Sequence, residues 1–196
     1  MIIGLTGSIA MGKSEVAKIL KSQGIPVFDA DATVHKIYEN GTAAKALATL
    51  CPEAISGTKV DRKILSGLIA QNPNLLKSVT DIIHPLVHDA EQEFRLKYKN
   101  QIAVIDSPLI LETGRMRDMD VLIVVSASAE NQKSRALKRT EMTVEKFELI
   151  KSRQMPDDEK RGWAHYIIEN NGTIKDLATQ TTAVIENIRE RVNLHA

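Results

Sequence analysis

A strand, a glycine loop and a helix follow one another at the start of this chain, and nothing else in it limits the fold as strongly. Gly7-Ser8-Ile9-Ala10-Met11-Gly12-Lys13-Ser14 fits the pattern G-x-x-x-x-G-K-[ST]. The apolar run Ile2-Ile3-Gly4-Leu5 before it reads as a buried strand, and Val16, Ala17, Ile19 and Leu20 after it suit an amphipathic helix. In that context the pattern acquires a mechanism. Backbone N–H groups of the loop and of the helix N-terminus converge and favour a polyphosphate. Lys13 reaches the outer phosphates and the Ser14 hydroxyl takes Mg²⁺. The contacts to a nucleotide such as ATP fall on Ser8, Ile9, Ala10, Met11, Gly12, Lys13, Ser14 and Glu15.

Further apolar, β-branched runs at 25–28, 102–105, 121–125 and 166–168 alternate with helical patterns. That alternation predicts an α/β fold with a five-stranded parallel sheet and helices on both faces. The spacing is uneven. About 70 residues part the second strand from the third, with helical patterns at 32–39, 43–50, 61–70, 74–77 and 84–98, far more than a plain crossover needs. The excess predicts a helical substrate-binding insertion at about 32–99. A second excess, at about 138–162, lies in a charged stretch carrying Lys133, Arg135, Lys138, Arg139, Lys151, Arg153, Lys160 and Arg161. It suits a helical lid over phosphates, or taken residue by residue an ordinary solvated helix. The core is then 1–31, 100–137 and 163–196, within a single domain. Ile174, Leu177, Ala178, Val184, Ile185, Ile188 and Val192 mark a closing helix packed on the sheet.

With 196 residues, one cysteine and a net charge of +1, the chain needs no disulfide framework and offers no nucleic-acid or membrane surface. Cys51 reads as a packing residue. No run approaches a membrane span, and no secretory signal is visible at the N-terminus. A cytoplasmic location is expected. The histidines at 35, 88, 165 and 195 show no metal-site spacing with cysteine, so no zinc is expected.

Chemistry beyond the loop centres on acids at strand ends. In open α/β sheets ligands bind beyond the carboxyl ends of strands. Asp29 and Asp31 close the second strand and can orient or deprotonate an attacking hydroxyl, Asp31 more than Asp29; a strand-ending Asp is also a common helix N-cap. Asp106 ends the third strand, where an acid suits Mg²⁺ beside Ser14 or shapes the turn into Ser107-Pro108. His84-Pro85 is read as the start of a long helix.

Together these pieces resemble the dephospho-CoA kinase family through most of the chain. The resemblance rests on Gly4-Leu5-Thr6-Gly7, Asp29-Ala30-Asp31-x-x-x-His35, His84-Pro85, Pro108-Leu109-x-x-Glu112, Gln154-Met155 and Ile168-Glu169-Asn170-Asn171-Gly172. The family loop is usually richer in glycine where this chain has Ser8, Ala10 and Met11, and Leu111 stands where the family often has an aromatic residue. The resemblance implies transfer of the ATP γ-phosphoryl group to the ribose 3′-hydroxyl of dephospho-CoA by a P-loop kinase of the nucleoside monophosphate kinase type; a monomer or weak homo-oligomer is expected. It puts Asp31 at the acceptor hydroxyl and Arg139 over ATP, with Lys13 as the third catalytic residue. It puts Asn170 and Gly172 by the adenine, and Asp29, His35, His84, Pro108, Leu109 and Glu112 with the acceptor. Alternatives within the sequence are another small-molecule kinase and a nucleotide-dependent switch. A GTPase switch would carry Asn-Lys-x-Asp, which is missing from the chain.

Overall fold

The computed structural model describes residues 1–193. His195, and the side chain of Val192, lie outside what is described. Strand β1 (Ile2–Thr6) leads into α1 (Lys13–Ser22), then β2 (Val27–Asp29), α2 (Ala30–Glu39) and α3 (Thr42–Leu47). A short antiparallel hairpin, β3 (Ile55–Ser56) and β4 (Lys59–Val60), precedes α4 (Arg62–Gln71) and α5 (Asn74–Lys97). The chain returns through β5 (Ala103–Asp106), β6 (Val121–Ser126), α6 (Ala129–Leu137), α7 (Val144–Ser152), α8 (Asp157–Trp163), β7 (Tyr166–Glu169) and α9 (Ile174–Asn193).

The main sheet has the order β2-β5-β1-β6-β7. Central β1 pairs in parallel with β5, Leu5 opposite Asp106, and with β6, Leu5 opposite Ile123. Such strands are covered on both faces and so are apolar at nearly every position. Ile3, Leu5, Val104, Ile123, Val125 and Ile168 are buried there, joined by Val16 and Leu20 of α1 and Leu177, Ile185 and Ile188 of α9. The closing helix therefore packs as its apolar spacing predicts, although Ile174 at its start stays exposed.

Two units emerge, one of residues 1–27 with the chain from Tyr98 onward, the other Phe28–Lys97. The second has its own core around Ala43, Leu47, Cys51, Val60, Val79 and Ile83. Cys51 packs in that core, as its reading as a packing residue required. Asp61 caps α4 by accepting from the N–H groups of Lys63 and Ile64.

Two features differ from the sequence reading. The hairpin at 55–60 has strands of two residues each, too short for alternation to be visible. Helix α5 runs unbroken through Pro85, where the sequence suggested one helix ending near 77 and another starting at 84. Proline removes one hydrogen bond and disfavours a helix interior. Here tertiary packing of Val79 and Ile83 on one flank and Leu86 and Val87 on the other holds both halves to the same core. His84 is therefore a mid-helix residue.

Candidate functional site

The glycine loop takes its shape from close approaches that only glycine permits. A Cβ on Gly7 would lie 2.6 Å from the Val125 carbonyl oxygen. Gly12 adopts φ +102°, and a Cβ there would lie 1.9 Å from the Asn170 amide nitrogen. Gly12 occupies the N-cap position of α1 and no side chain caps that helix. Its first N–H groups are thus left to bind an anion, helped by the helix dipole.

Side-chain amides hold the loop from outside. Gln154 Oε1 accepts from the Ile9 N–H and Gln132 Nε2 donates to the Ile9 carbonyl, both at 2.9 Å. Asn170 Nδ2 donates to the Met11 carbonyl at 2.9 Å, and the Ala127 N–H donates to Met11 Sδ at 3.1 Å. Arg135 in turn donates to the Asn170 carbonyl at 2.9 Å. Ala10 has φ +61°, rare for a residue with a side chain, and its methyl is buried against Ala136 and Phe147.

At the carboxyl end of β5 the Lys13 ammonium is ion-paired with Asp106, which is only 3% exposed. Ser14 is exposed on the first turn of α1. Glu15 beside it pairs with Lys18 at 2.7 Å. The turn after β5 is fastened by Lys160, a fully buried cation. Lys160 Nζ lies 2.8 Å from Glu112 Oε1 and 2.9 Å from the Pro108 carbonyl. The same Glu112 oxygen accepts from the Met155 N–H at 2.9 Å, and Thr6 Oγ1 donates to the Pro108 carbonyl at 3.2 Å. Pro108, Glu112 and Met155 thus meet around one buried ammonium, while Leu109 remains 40% exposed.

Beyond β6, Arg161 pairs with Glu169 at 2.6 Å and donates to Ser126 Oγ at 3.0 Å. The Glu169 carboxylate beside it pushes the guanidinium pKa up, so this cation stays charged. Arg135, Lys160 and Arg161, read from sequence as lid or solvated charges, are internal ties. Arg139 follows α6, exposed. Asn170 is buried beneath the loop, and Gly172 lies against Asp176, a Cβ there being 2.6 Å from its carboxylate. A cavity of about 650 Å³ is lined by Met11, Ser128, Gln132, Lys151, Asp157 and Asn171 among others.

In the helical unit, Asp29 caps α2, accepting from the Ala32 N–H at 2.8 Å. Asp31 stands in the first turn of that helix and is exposed, as are His35 one turn on and His84 on α5. The structure brings Lys13, Asp106, Pro108 and Glu112 to one end of the core sheet. Sequence reasoning gave no role to Gln132, read Lys160 only as one of the lid or solvated charges, and left Gln154 as an unexplained part of a motif. Their partners lie far along the chain, so no local pattern marks them.

The family model described as dephospho-CoA kinase matches residues 1–176. A dephospho-CoA kinase of Rhodopseudomonas palustris is 41% identical over 189 residues, covering 95% of this chain and 94% of the relative. One from Rhizobium etli is 40% identical over 193 residues, 97% of this chain and 95% of the relative. The solved dephospho-CoA kinase of Campylobacter jejuni superimposes with a TM-score of 0.71 at 27% identity, over 95% of this chain and 96% of that one. Shikimate kinase of Aquifex aeolicus, 12% identical with a TM-score of 0.55 over 96% of this chain and 98% of that one, shares the fold.

Proposed function

The chain belongs to the dephospho-CoA kinase family, and from that premise we propose the residue roles by which it moves the ATP γ-phosphoryl group to the ribose 3′-hydroxyl of dephospho-CoA, yielding coenzyme A and ADP. One observation carries the assignment. Lys13 and the uncapped N-terminus of α1 converge with Asp106 where β5 ends.

The loop N–H groups and the helix dipole hold the triphosphate, and Lys13 neutralises its outer phosphates. Ser14 and Asp106 present hard oxygen donors that fit Mg²⁺, with Asp106 already facing a cation in Lys13. Bound there, the ion supplies charge neutralisation to the β- and γ-phosphates. Asp31 accepts the proton of the 3′-hydroxyl as its oxygen bonds to the γ-phosphorus. The bond from that phosphorus to the bridging oxygen of ADP breaks. Positioning dominates, because the transferred group needs alignment and neutralisation more than covalent help. Arg139, exposed and with its guanidinium paired to no described residue, adds positive charge over the phosphates, and the segment at about 138–162, tied to the core through Gln154 and Lys160, covers them and excludes water.

The loop at 170–172 lies by the adenine, with Asn170 reserved for the phosphate loop. The insertion at about 32–99 takes the acceptor through Asp29, His35 and His84. Pro108, Leu109 and Glu112 serve the acceptor as well, Pro108 and Glu112 on the buried mount that Lys160 makes. The net charge of +1 calls for no nucleic acid. No helix among the described residues is long and apolar enough to cross a membrane. We assign the reaction to the cytoplasm and the chain to a monomer or weak homo-oligomer. ADP release should begin when dephospho-CoA is added to enzyme with ATP and Mg²⁺, and should stay near background with adenosine, AMP or shikimate. Equal release with any control acceptor would overturn the assignment.

A further inference from the structure

Two glutamines from different elements grip the same loop residue at its two polar ends. Gln132, on α6 and 2% exposed, donates to the Ile9 carbonyl. Gln154, in the joint between α7 and α8, accepts from the Ile9 N–H. The next residue, Ala10, holds a positive φ that a residue with a side chain seldom adopts. Its methyl is buried against Ala136 of α6 and Phe147 of α7. The preceding residue fastens the turn through its backbone alone: the Ser8 carbonyl accepts from the Met11 N–H at 3.2 Å, while its buried hydroxyl has no hydrogen-bond partner among the described residues. Ser8, Gln132, Gln154 and Lys151 line one cavity of about 360 Å³. Beyond that one backbone bond, the turn at Ile9-Ala10 is held by α6, α7 and the joint before α8.

We infer that Gln132 and Gln154 are positioning residues for phosphoryl transfer, clamping Ile9 so that the segment carrying Arg139 sets the geometry of the phosphate loop. The inference rests on the reading of that loop as the ATP site. The clamp touches no substrate. It acts by keeping the Ala10 turn, and with it the N–H groups that follow, aimed at the phosphates. Phosphoryl transfer is sensitive to such aim, since a displacement of about 1 Å costs up to about 10²-fold in rate. Both glutamines work on one residue, so their removal should not be additive.

The test uses the full chain with Gln154→Met, which keeps the volume and loses the acceptor, Gln132→Met, and the double variant. For Gln154→Met we expect kcat to fall about 10-fold or more. The KM for dephospho-CoA should stay within about two-fold, and amide exchange at Ile9 should quicken. Gln154→Glu, which restores an acceptor oxygen, should recover the slow exchange. The double variant should lose little more than the worse single one. A lower melting temperature with kcat and Ile9 exchange unchanged would overturn the inference, leaving the glutamines as packing. Gln154 is only partly buried, so it carries the test alone if Gln132→Met fails to fold. Parent enzyme inert toward dephospho-CoA would overturn the functional reading instead, and Ile9 exchange would still decide the clamp.

Discussion

Lys13, the cation of the phosphate loop, is ion-paired with Asp106, a buried carboxylate at the end of the neighbouring strand. The pair joins the loop to β5 and sets what any substitution of Lys13 must do. Lys13→Ala removes the charge proposed to face phosphate and also takes the ion-pair partner from a buried carboxylate. Loss of the phosphate interaction should lower turnover by two decades or more, as for electrostatic groups worth about 3 kcal/mol. Breaking a buried pair from one side should destabilise by about 3 kcal/mol as well. The double variant Lys13→Met with Asp106→Asn removes both charges and should melt closer to the parent while staying inactive. Thermal melts beside turnover separate the two effects, and a folded Lys13 variant with near-normal turnover would contradict the assignment.

Asp106→Asn alone tests the metal role. It keeps shape and loses charge, so the Mg²⁺ concentration for half-maximal rate should rise about tenfold or more, the change expected when a charged ligand is lost. Titrating Mg²⁺ at saturating ATP measures this. An unchanged Mg²⁺ dependence would remove Asp106 from the metal site.

Gly12→Ala should be among the most damaging single-methyl changes. The new Cβ meets the Asn170 amide at 1.9 Å and sits at φ +102°, so it displaces the group that holds the Met11 carbonyl. Adding Asn170→Ala makes room but leaves the backbone strain, of the order of 1 kcal/mol or more. Stability of the double variant should recover in part, and ATP binding by calorimetry should not.

Lys160→Met replaces a fully buried ammonium by a chain of similar length. It leaves Glu112, whose second oxygen has no hydrogen-bond partner among the described residues, without the cation it pairs with. A loss of about 3 kcal/mol is expected in denaturant unfolding, and adding Glu112→Gln should restore much of it. A Lys160→Met protein as stable as the parent would contradict the buried mount described above.

Cys51 should be slow to alkylate. Burial, helped by the nearby Glu53 carboxylate, pushes its thiol pKa up, so less thiolate exists at a given pH, and the thiolate is the reactive form. Iodoacetamide at pH 8 should label the unfolded chain well before the native one.

The legible parts of this molecule are local. The glycine loop carries its meaning in eight consecutive residues, and β1, β5, β6 and β7 are apolar enough to stand out. Pro85 misled because packing of Val79, Ile83, Leu86 and Val87 outweighs the hydrogen bond a proline forfeits. The fastening of the site was hidden for a different reason. Gln154 meets Ile9, Asn170 meets Met11 and Lys160 meets Pro108 across long stretches of chain, and glutamine, asparagine and lysine are ordinary surface residues by type. Asn170 is the clearest case, since the motif around it is visible in the sequence but its place beneath Gly12 is not.

Asp31→Asn separates a kinase from a nucleotide switch. The amide keeps one acceptor oxygen and loses the charge, so kcat should drop about 10²-fold, the effect of a positioned acid–base group. ATP affinity should hardly change. A large loss of ATP binding would move Asp31 to the nucleotide, and unchanged single-turnover transfer would leave it as a residue of the first turn of α2.

The position of the new phosphate is the most direct measure of what this chain does. Dephospho-CoA incubated with enzyme, ATP and Mg²⁺ should yield a product whose ³¹P spectrum shows one added monoester, coupled to the proton on the ribose 3′ carbon. Phosphate on any other hydroxyl, or ATP hydrolysed to ADP and inorganic phosphate with dephospho-CoA unchanged, would contradict the account.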